Sequence, residues 1–228
     1  MKKSTKIILT YVLLLLIGAL TIYIGEIYVG KGGQDKKLYH RFTQQLSPFS
    51  VVVAKEYAKF RIEMGDSNSI DWQLPKEMSM KGAPAFVRND TLFVINTPTG
   101  NTQDFVVRCK SLSAIVTMKS SYIQLINPRL DQLTVLGNGG AVSLDVEQYQ
   151  KNIRIGQLDI VGKKMERIRI SIPIKCLNAQ LDSVELSTYE KVVEVNLKMV
   201  NKSSVRFNNY PLSRFKMEKD STCMLKIY

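Results

Sequence analysis

The stretch LSAIVTMKSSYIQLINPRLDQLTVLGNGGAVSLD, Leu112–Asp145, decides the fold. Short apolar alternations recur in it, separated by Ser, Asn, Gly and Lys. Leu130-x-x-Leu133-x-Val135 spells an apolar residue, two variable ones, an apolar, one variable, an apolar. Leu112-x-x-Ile115 begins the same way, with Thr117 in the third apolar place. A polar gap and a second short alternation follow each start: SSYIQL after Leu112, GGAVSL after Leu130. Alternation at period two marks a strand with one face buried. The stretch therefore reads as two consecutive turns of one repeating unit, with the Ser and Gly runs as corners.

Working outward, the same start returns at Met165-x-x-Ile168-x-Ile170, Leu181-x-x-Val184-x-Leu186 and Leu212-x-x-Phe215-x-Met217. SSVRF at Ser203–Phe207 and STCMLKI after Leu212 look like further second halves. The starts lie 18, 35, 16 and 31 residues apart, so a unit of 16–20 residues fits if each wide interval holds a degenerate copy. Such a unit is too short for a strand–helix–strand crossover, which needs about 30 residues. It suits one turn of a parallel β-solenoid, whose turns bury an apolar side inward and stack on one another. A β-sandwich built from hairpins is the competing architecture; the recurring start favours the solenoid. The expected fold is all-β, a parallel solenoid-like stack of short strands after an N-terminal transmembrane helix. The stack ends on CMLKIY without an obvious polar cap.

Upstream, FSVVVAKEYAKFRIEM gives two strands, Phe49–Val53 and Ala58–Met64. In the second, Phe60, Ile62 and Met64 share one face and Lys59, Arg61 and Glu63 the other. IDWQL is a further strand, and QDFVVRCKS another. APAFVRNDTLFVINT splits at the turn signal Asn89-Asp90 into a hairpin expected to cap the start of the stack.

The N-terminus carries Lys2, Lys3 and Lys6, then Ile7–Ile24, 18 residues without a charge. That length approaches the roughly 20 residues needed to span a bilayer. It exceeds the apolar region of a cleaved signal peptide, and LTIYIGEIY offers no good small-x-small cleavage site. No cysteine follows either, which excludes bacterial lipidation. An uncleaved anchor is expected, with Tyr23 and Tyr28 at the interfaces. The positive-inside rule puts the N-terminus in the cytoplasm and residues 31–228 across the membrane. The expected location is the inner (cytoplasmic) membrane, single-pass, with the C-terminal domain in the periplasm or outside. The expected divisions are 1–30 membrane anchor, 31–48 juxtamembrane linker with a short helical turn near Leu38–Leu46, 49–110 N-terminal β cap region and 111–228 repeated short-strand region.

Thirty-two basic residues face 20 acidic ones, a formal net charge of +12. Arg154, Lys163, Lys164, Arg167 and Arg169 cluster mid-chain, and Arg167 and Arg169 alternate with Ile168 and Ile170, so both face outward. These five are the candidate strip for an anionic ligand, an anionic polysaccharide or lipid headgroups. Nucleic acid is excluded by the expected topology. Asp131 and Asp182 each follow the first leucine of a unit and would form a row suited to a cation or to glycan chemistry. The matching residues elsewhere are Ser113, Glu166 and Ser213, which is no acidic ladder. His40 is the only histidine, so multi-histidine metal sites are excluded, and LYHRF offers no triad partners. Cys109, Cys176 and Cys223 form no Cys-x-x-Cys motif; their odd number argues against a disulfide framework and leaves one pair open. Gly137–Gly140 lacks the Lys-Ser/Thr of a phosphate loop and reads as a corner.

FSVVVAKEYAKFRIEMGDSNSIDWQLPKEM, then VRNDTLFV, LSAIVTMKSSYIQL and LDQLTVLGNGGAVSL, resemble the head-GIN adhesin domain family of Bacteroidetes envelope proteins. That family opens with two strands and a Gly-Asp-Ser-like turn and continues as stacked short strands with Gly/Ser-rich turns. The likeness covers roughly 47–228. KSSYI, EKVVE and KDSTC replace the family's small-residue turns, so the chain is a divergent member at best. The family has no established catalytic residues to carry over. The resemblance implies a non-enzymatic, envelope-facing structural or adhesion-type domain that binds a glycan or an envelope protein, with no cofactor. A glycan-active β-helix enzyme and a membrane-anchored sensor are the alternatives.

Overall fold

Over residues 114–227 strands that are two apart in the chain lie side by side. The computed structural model describes residues 39–55, 57–75, 84–95, 97, 105–147, 153–208 and 213–228. The expected anchor, Ile7–Ile24, lies outside the described residues, as do residues 31–38 of the expected linker. Among the described residues there is no helix, and 19 strands form two mixed sheets.

The first strands are β1 (Tyr39–Gln45), β2 (Val51–Ala54), β3 (Lys59–Met64), β4 (Ser69–Pro75), β5 (Ala85–Arg88), β6 (Thr91–Val94) and β7 (Phe105–Cys109). Then follow β8 (Ala114–Met118), β9 (Tyr122–Ile126), β10 (Arg129–Asn138), β11 (Ala141–Asp145), β12 (Arg154–Lys163) and β13 (Arg167–Ile170). The last are β14 (Ile174–Asp182), β15 (Glu185–Thr188), β16 (Val192–Val200), β17 (Ser204–Phe207), β18 (Arg214–Lys219) and β19 (Met224–Ile227). Sheet one runs β1-β4-β7-β3-β9-β11-β13-β15-β17-β19, and sheet two runs β18-β16-β14-β12-β10-β8-β2-β6-β5. From β8 onward the chain alternates between them, and neighbours in each sheet are parallel. A hairpin sandwich pairs consecutive strands antiparallel, which among the described residues only β5 and β6 do.

The repeat length follows from the register. Ile115 partners Val135, 20 residues on; Ile160 partners Ala179, 19 on; Ala179 partners Leu197, 18 on. The framing differs from the expected one. Leu130, Leu133 and Val135 align with Ile155, Leu158 and Ile160, then with Ile174, Leu177 and Ala179, then with Val192, Val195 and Leu197. Met165 instead stands in a corner, and Leu181 sits opposite Gly162 near the end of β14. The apolar–two–apolar spacing has a physical cause. Pairing skips Asp131 opposite Gly156, Gly156 opposite Lys175, and Lys175 opposite Val193. Each strand bends there, so residues three apart both turn inward: Ile155 and Leu158 are buried, as are Ile174 and Leu177.

The stack also begins earlier than residue 111. β2 pairs parallel with β8 and β3 with β9; Val52 partners Ile115 and Phe60 partners Ile123, 63 residues on in both cases. β2 and β3 are thus a first copy, and β4 to β7 are an insertion beside it. Asn89 (φ 48°) and Asp90 (φ 59°) make the two left-handed positions that turn β5 back on β6, and this hairpin stands at the edge of sheet two, beside β2. Tyr39–Gln45 is a strand, not a linker with a helical turn. The edge beside β4 offers its backbone partners, and Phe42 stacks on Trp72 at 5.4 Å.

Both sheets turn apolar rows into one core. Leu133, Leu158, Leu177 and Val195 line one side and Ile123, Val142, Ile168 and Leu186 the other, all buried. Corners after the sheet-two strands take positive φ: Ser120, Gly139–Gly140, Lys164, Ser183 and Asn201–Lys202. Gly140 is required, since a Cβ there would lie 2.6 Å from the Met118 and Ser121 carbonyl oxygens. Successive corners also bond to one another: Asn201 Nδ2 donates to Asp182 Oδ1 at 2.9 Å, and its backbone N–H to Asp220 Oδ2 at 2.8 Å.

Candidate functional site

The five expected cations do not form one strip. Arg154 opens β12 and Lys163 ends it, about 30 Å apart at the usual rise of a strand. Lys164 is the corner residue after β12, with φ 50°. Arg167 and Arg169 belong to the other sheet, where they are exposed. Arg169 lies over the Tyr189 ring at 4.7 Å from its centroid. Register puts it in line with Ser187, Arg206 and Lys226. Arg154 keeps different company: Lys175 and Lys191 join it around an open notch of ≈ 390 Å³ that Asp131 and Gly156 also line. Neither lysine stands near Arg154 in sequence; only the 18–19-residue repeat brings them together.

Asp131 and Asp182 are likewise separated. Asp182 partners Lys163, which partners Asn138, seven residues along β10 from Asp131. That is about 23 Å of strand, whereas glycosidase carboxylates stand roughly 5–9.5 Å apart. Asp182 is held by the Asn201 amide and the Ser183 hydroxyl, which keep its carboxyl below the usual range. His40 is exposed on β1. Among the described residues no group of three or more His, Cys, Asp or Glu is arranged to hold a metal. The three cysteines are free thiols. Burial pushes Cys109 up to about 12, which removes its nucleophilic thiolate at neutral pH.

Two features of the outer faces escaped sequence reasoning. On sheet one, buried Asp71 accepts from Arg41 at 2.9 Å and from Arg108, and Arg108 reaches Glu63 at 3.3 Å. Burial opposes the Asp71 charge, but Arg108, Thr43 and Arg41 outweigh it and hold the carboxyl low. This network pins the inserted β4 and β7 to β1 and β3.

The second feature is an apolar row on the outer face of sheet two. Phe86, Phe93, Val53, Val116, Leu136 and Val161 are register partners across six adjacent strands. At the usual strand spacing the row is about 24 Å long. Phe86, Leu136 and Val161 are 44%, 40% and 48% exposed. The Phe86 and Phe93 rings stack at 5.2 Å. Beyond Val161 the row turns polar, through Gln180, Lys198 and Glu218. A groove of ≈ 770 Å³ runs beside it, with Val116, Leu136 and Val161 on its walls and Lys119 and Lys164 at its corner. A neighbouring row forms an amide ladder. Asp159 accepts from Asn178 at 2.7 Å, Gln157 at 2.9 Å and Gln132 at 3.0 Å, and Asn196 donates to Asn178 at 2.8 Å. Burial works against the Asp159 charge, but these amides outweigh it and lower its pKa. The signal for the apolar row was in the sequence: VVV, AIV and IV are continuous runs, the pattern of parallel strands covered on both faces.

No protein-family model and no curated protein matches the chain. Solved structures do. The crystal structure of a "putative adhesin" from Bacteroides fragilis aligns with a TM-score of 0.52 at 10% identity, over 84% of this chain and 98% of that one. A second "putative adhesin", from Parabacteroides merdae, aligns with a TM-score of 0.44 at 13% identity, over 83% and 96%. A "putative lipid binding protein" from Parabacteroides distasonis aligns with a TM-score of 0.45 at 10% identity, over 83% and 96%. The first of these likenesses establishes a shared fold.

Proposed function

We propose that the chain is a non-catalytic, envelope-facing binding domain, a β-solenoid of the head-GIN type held at the inner membrane by residues 7–24. Its contact surface is the outer face of sheet two, and the partner is an envelope protein with an apolar centre and an acidic border. The observation that carries this is the outer apolar row from Phe86 to Val161, in which Phe86, Leu136 and Val161 are exposed, Phe93 and Val116 half-buried and Val53 buried. A contiguous exposed apolar patch marks an interaction site rather than ordinary surface. Its borders support a protein over a lipid surface: the ordered Asp159 amides lie on one side and Lys119, Lys163 and Lys164 on the other. An apolar core with a directional polar rim is the anatomy of a protein interface.

A photo-crosslinking residue at Val116 is expected to trap a defined adduct in whole cells, and L136K/V161K to abolish it. Equal crosslinking from position 185 on sheet one, or an adduct indifferent to L136K/V161K, sinks the surface assignment. Topology has its own test. External protease on spheroplasts is expected to digest residues 31–228, and their protection contradicts the orientation.

A further inference from the structure

Sheet two carries a second outer feature, at the opposite end of its long strands. There the bends of β10, β12, β14 and β16 stack at Asp131, Gly156, Lys175 and Val193. A bend turns two consecutive side chains outward and opens a notch beneath them. Gly156 lines it, and glycine is needed there because a Cβ would lie 2.5 Å from the Asp131 carbonyl oxygen. Arg154 from β12, Lys175 from β14 and Lys191 before β16 stand around it. Arg154 and Lys191 are two strands apart, about 10 Å. Arg129 stands beside Arg154 in register. Asp131 is the one carboxylate lining the notch. Among the described residues Arg154, Lys175 and Lys191 make no ion pair.

We propose that this notch binds the acid groups of an anionic glycan, carboxylates foremost. Like charges stacked on neighbouring strands repel, and the single carboxylate of Asp131 leaves a lining with Arg154, Lys175 and Lys191 net positive, which suits an anion from outside. A single phosphate needs donors aimed at one point. Here the cations spread over about 10 Å along an open notch, which matches successive charges on one chain. Arg154 supplies a fork suited to a carboxylate, and the two lysines supply point charges. The site is separate from the apolar row, so it stands or falls independently of the protein-partner reading.

The test is calorimetric titration of the full chain in neutral detergent. The probes are a galacturonate oligosaccharide, its uncharged galactose counterpart, inorganic phosphate and phosphatidylglycerol vesicles. Binding of the galacturonate oligosaccharide alone is expected, weakening as salt rises. R154Q/K175Q/K191Q is expected to weaken it roughly tenfold or more, and K163Q/K164Q at the far end of β12 by less than about twofold. K175Q alone, the mildest change, is expected to weaken it measurably while thermal unfolding is unchanged, which guards against a misfolded triple variant. Equal losses from the two variant sets would reduce the effect to net charge and overturn the site. So would binding of phosphate or vesicles in place of the oligosaccharide, or no binding by the wild type.

Discussion

The outer face of sheet two has two halves built on the same backbone. From β5 to β12 the central outer row is Phe86, Phe93, Val53, Val116, Leu136 and Val161; from β14 to β18 it is Gln180, Lys198 and Glu218. Register continues unbroken across the change, and the inner rows stay apolar on both sides of it. The fold is therefore specified from within, and the outer row is free to differ. The outer apolar half ends at Val161, where the exposed Leu136 and Val161 give way to the polar Gln180.

The sharpest way to break this comparison is to cut the inner row in each half. Leu158 under the apolar half and Leu177 under the polar half are both fully buried register partners. Each Leu→Ala change is expected to cost about 2–5 kcal/mol in chemical denaturation. If one cost far more than the other, the two halves would not share a common core. Q180A, on the outer row of the same strand as Leu177, is expected within about 0.5 kcal/mol of wild type.

A smaller effect is expected where the chain turns between the sheets. Gly140 has φ +72° and no room for a Cβ. G140A is expected to cost about 1–3 kcal/mol, from the left-handed backbone and the carbonyl contacts together. The corner after β14 belongs to the polar half and already carries Ser183 at φ 59°. S183G is expected to change stability by less than about 1 kcal/mol. A G140A variant as stable as wild type would show that the corner can reshape, and that register is set by the strands alone.

Much of this was legible because a period-two pattern and a repeat length survive without any knowledge of contacts. Leu112–Asp145 does form β8 to β11, two successive copies, and Asn89-Asp90 does turn a hairpin. What failed did so for identifiable reasons. Leu130-x-x-Leu133 marks a bend inside a strand, so reading it as a universal start mixed residues from both sheets. The first copy, β2 and β3, was hidden because the insertion puts 63 residues between partners that elsewhere lie 18–20 apart. Arg154 and Lys163 looked clustered because nine residues is a short distance in sequence, but in an extended strand it is a long one. Lys175 and Lys191 were missed for the converse reason: stacking makes neighbours of residues one repeat apart.

The finest test separates the polar ladder from the apolar row beside it. In the folded chain burial disfavours the Asp159 charge, yet the amides of Asn178, Gln157 and Gln132 more than offset it, and its pKa falls. An unfolded aspartate protonates near pH 4, and the folded one at lower pH. The ladder's contribution is therefore complete above about pH 4 and is lost as pH falls through the folded value. The carboxylate is partly exposed, so solvent screening keeps the contribution below about 1 kcal/mol. D159N is expected to be slightly less stable than wild type at pH 7, with the gap narrowing as pH falls below about 4 in denaturant titrations. Asp71 contributes an acid limb of the same sign from sheet one, so only the difference between wild type and D159N isolates the ladder. A gap that does not narrow as pH falls would mean that the Asp159 side chain matters for shape and not for charge. The polar border of the apolar row would then be held by packing alone.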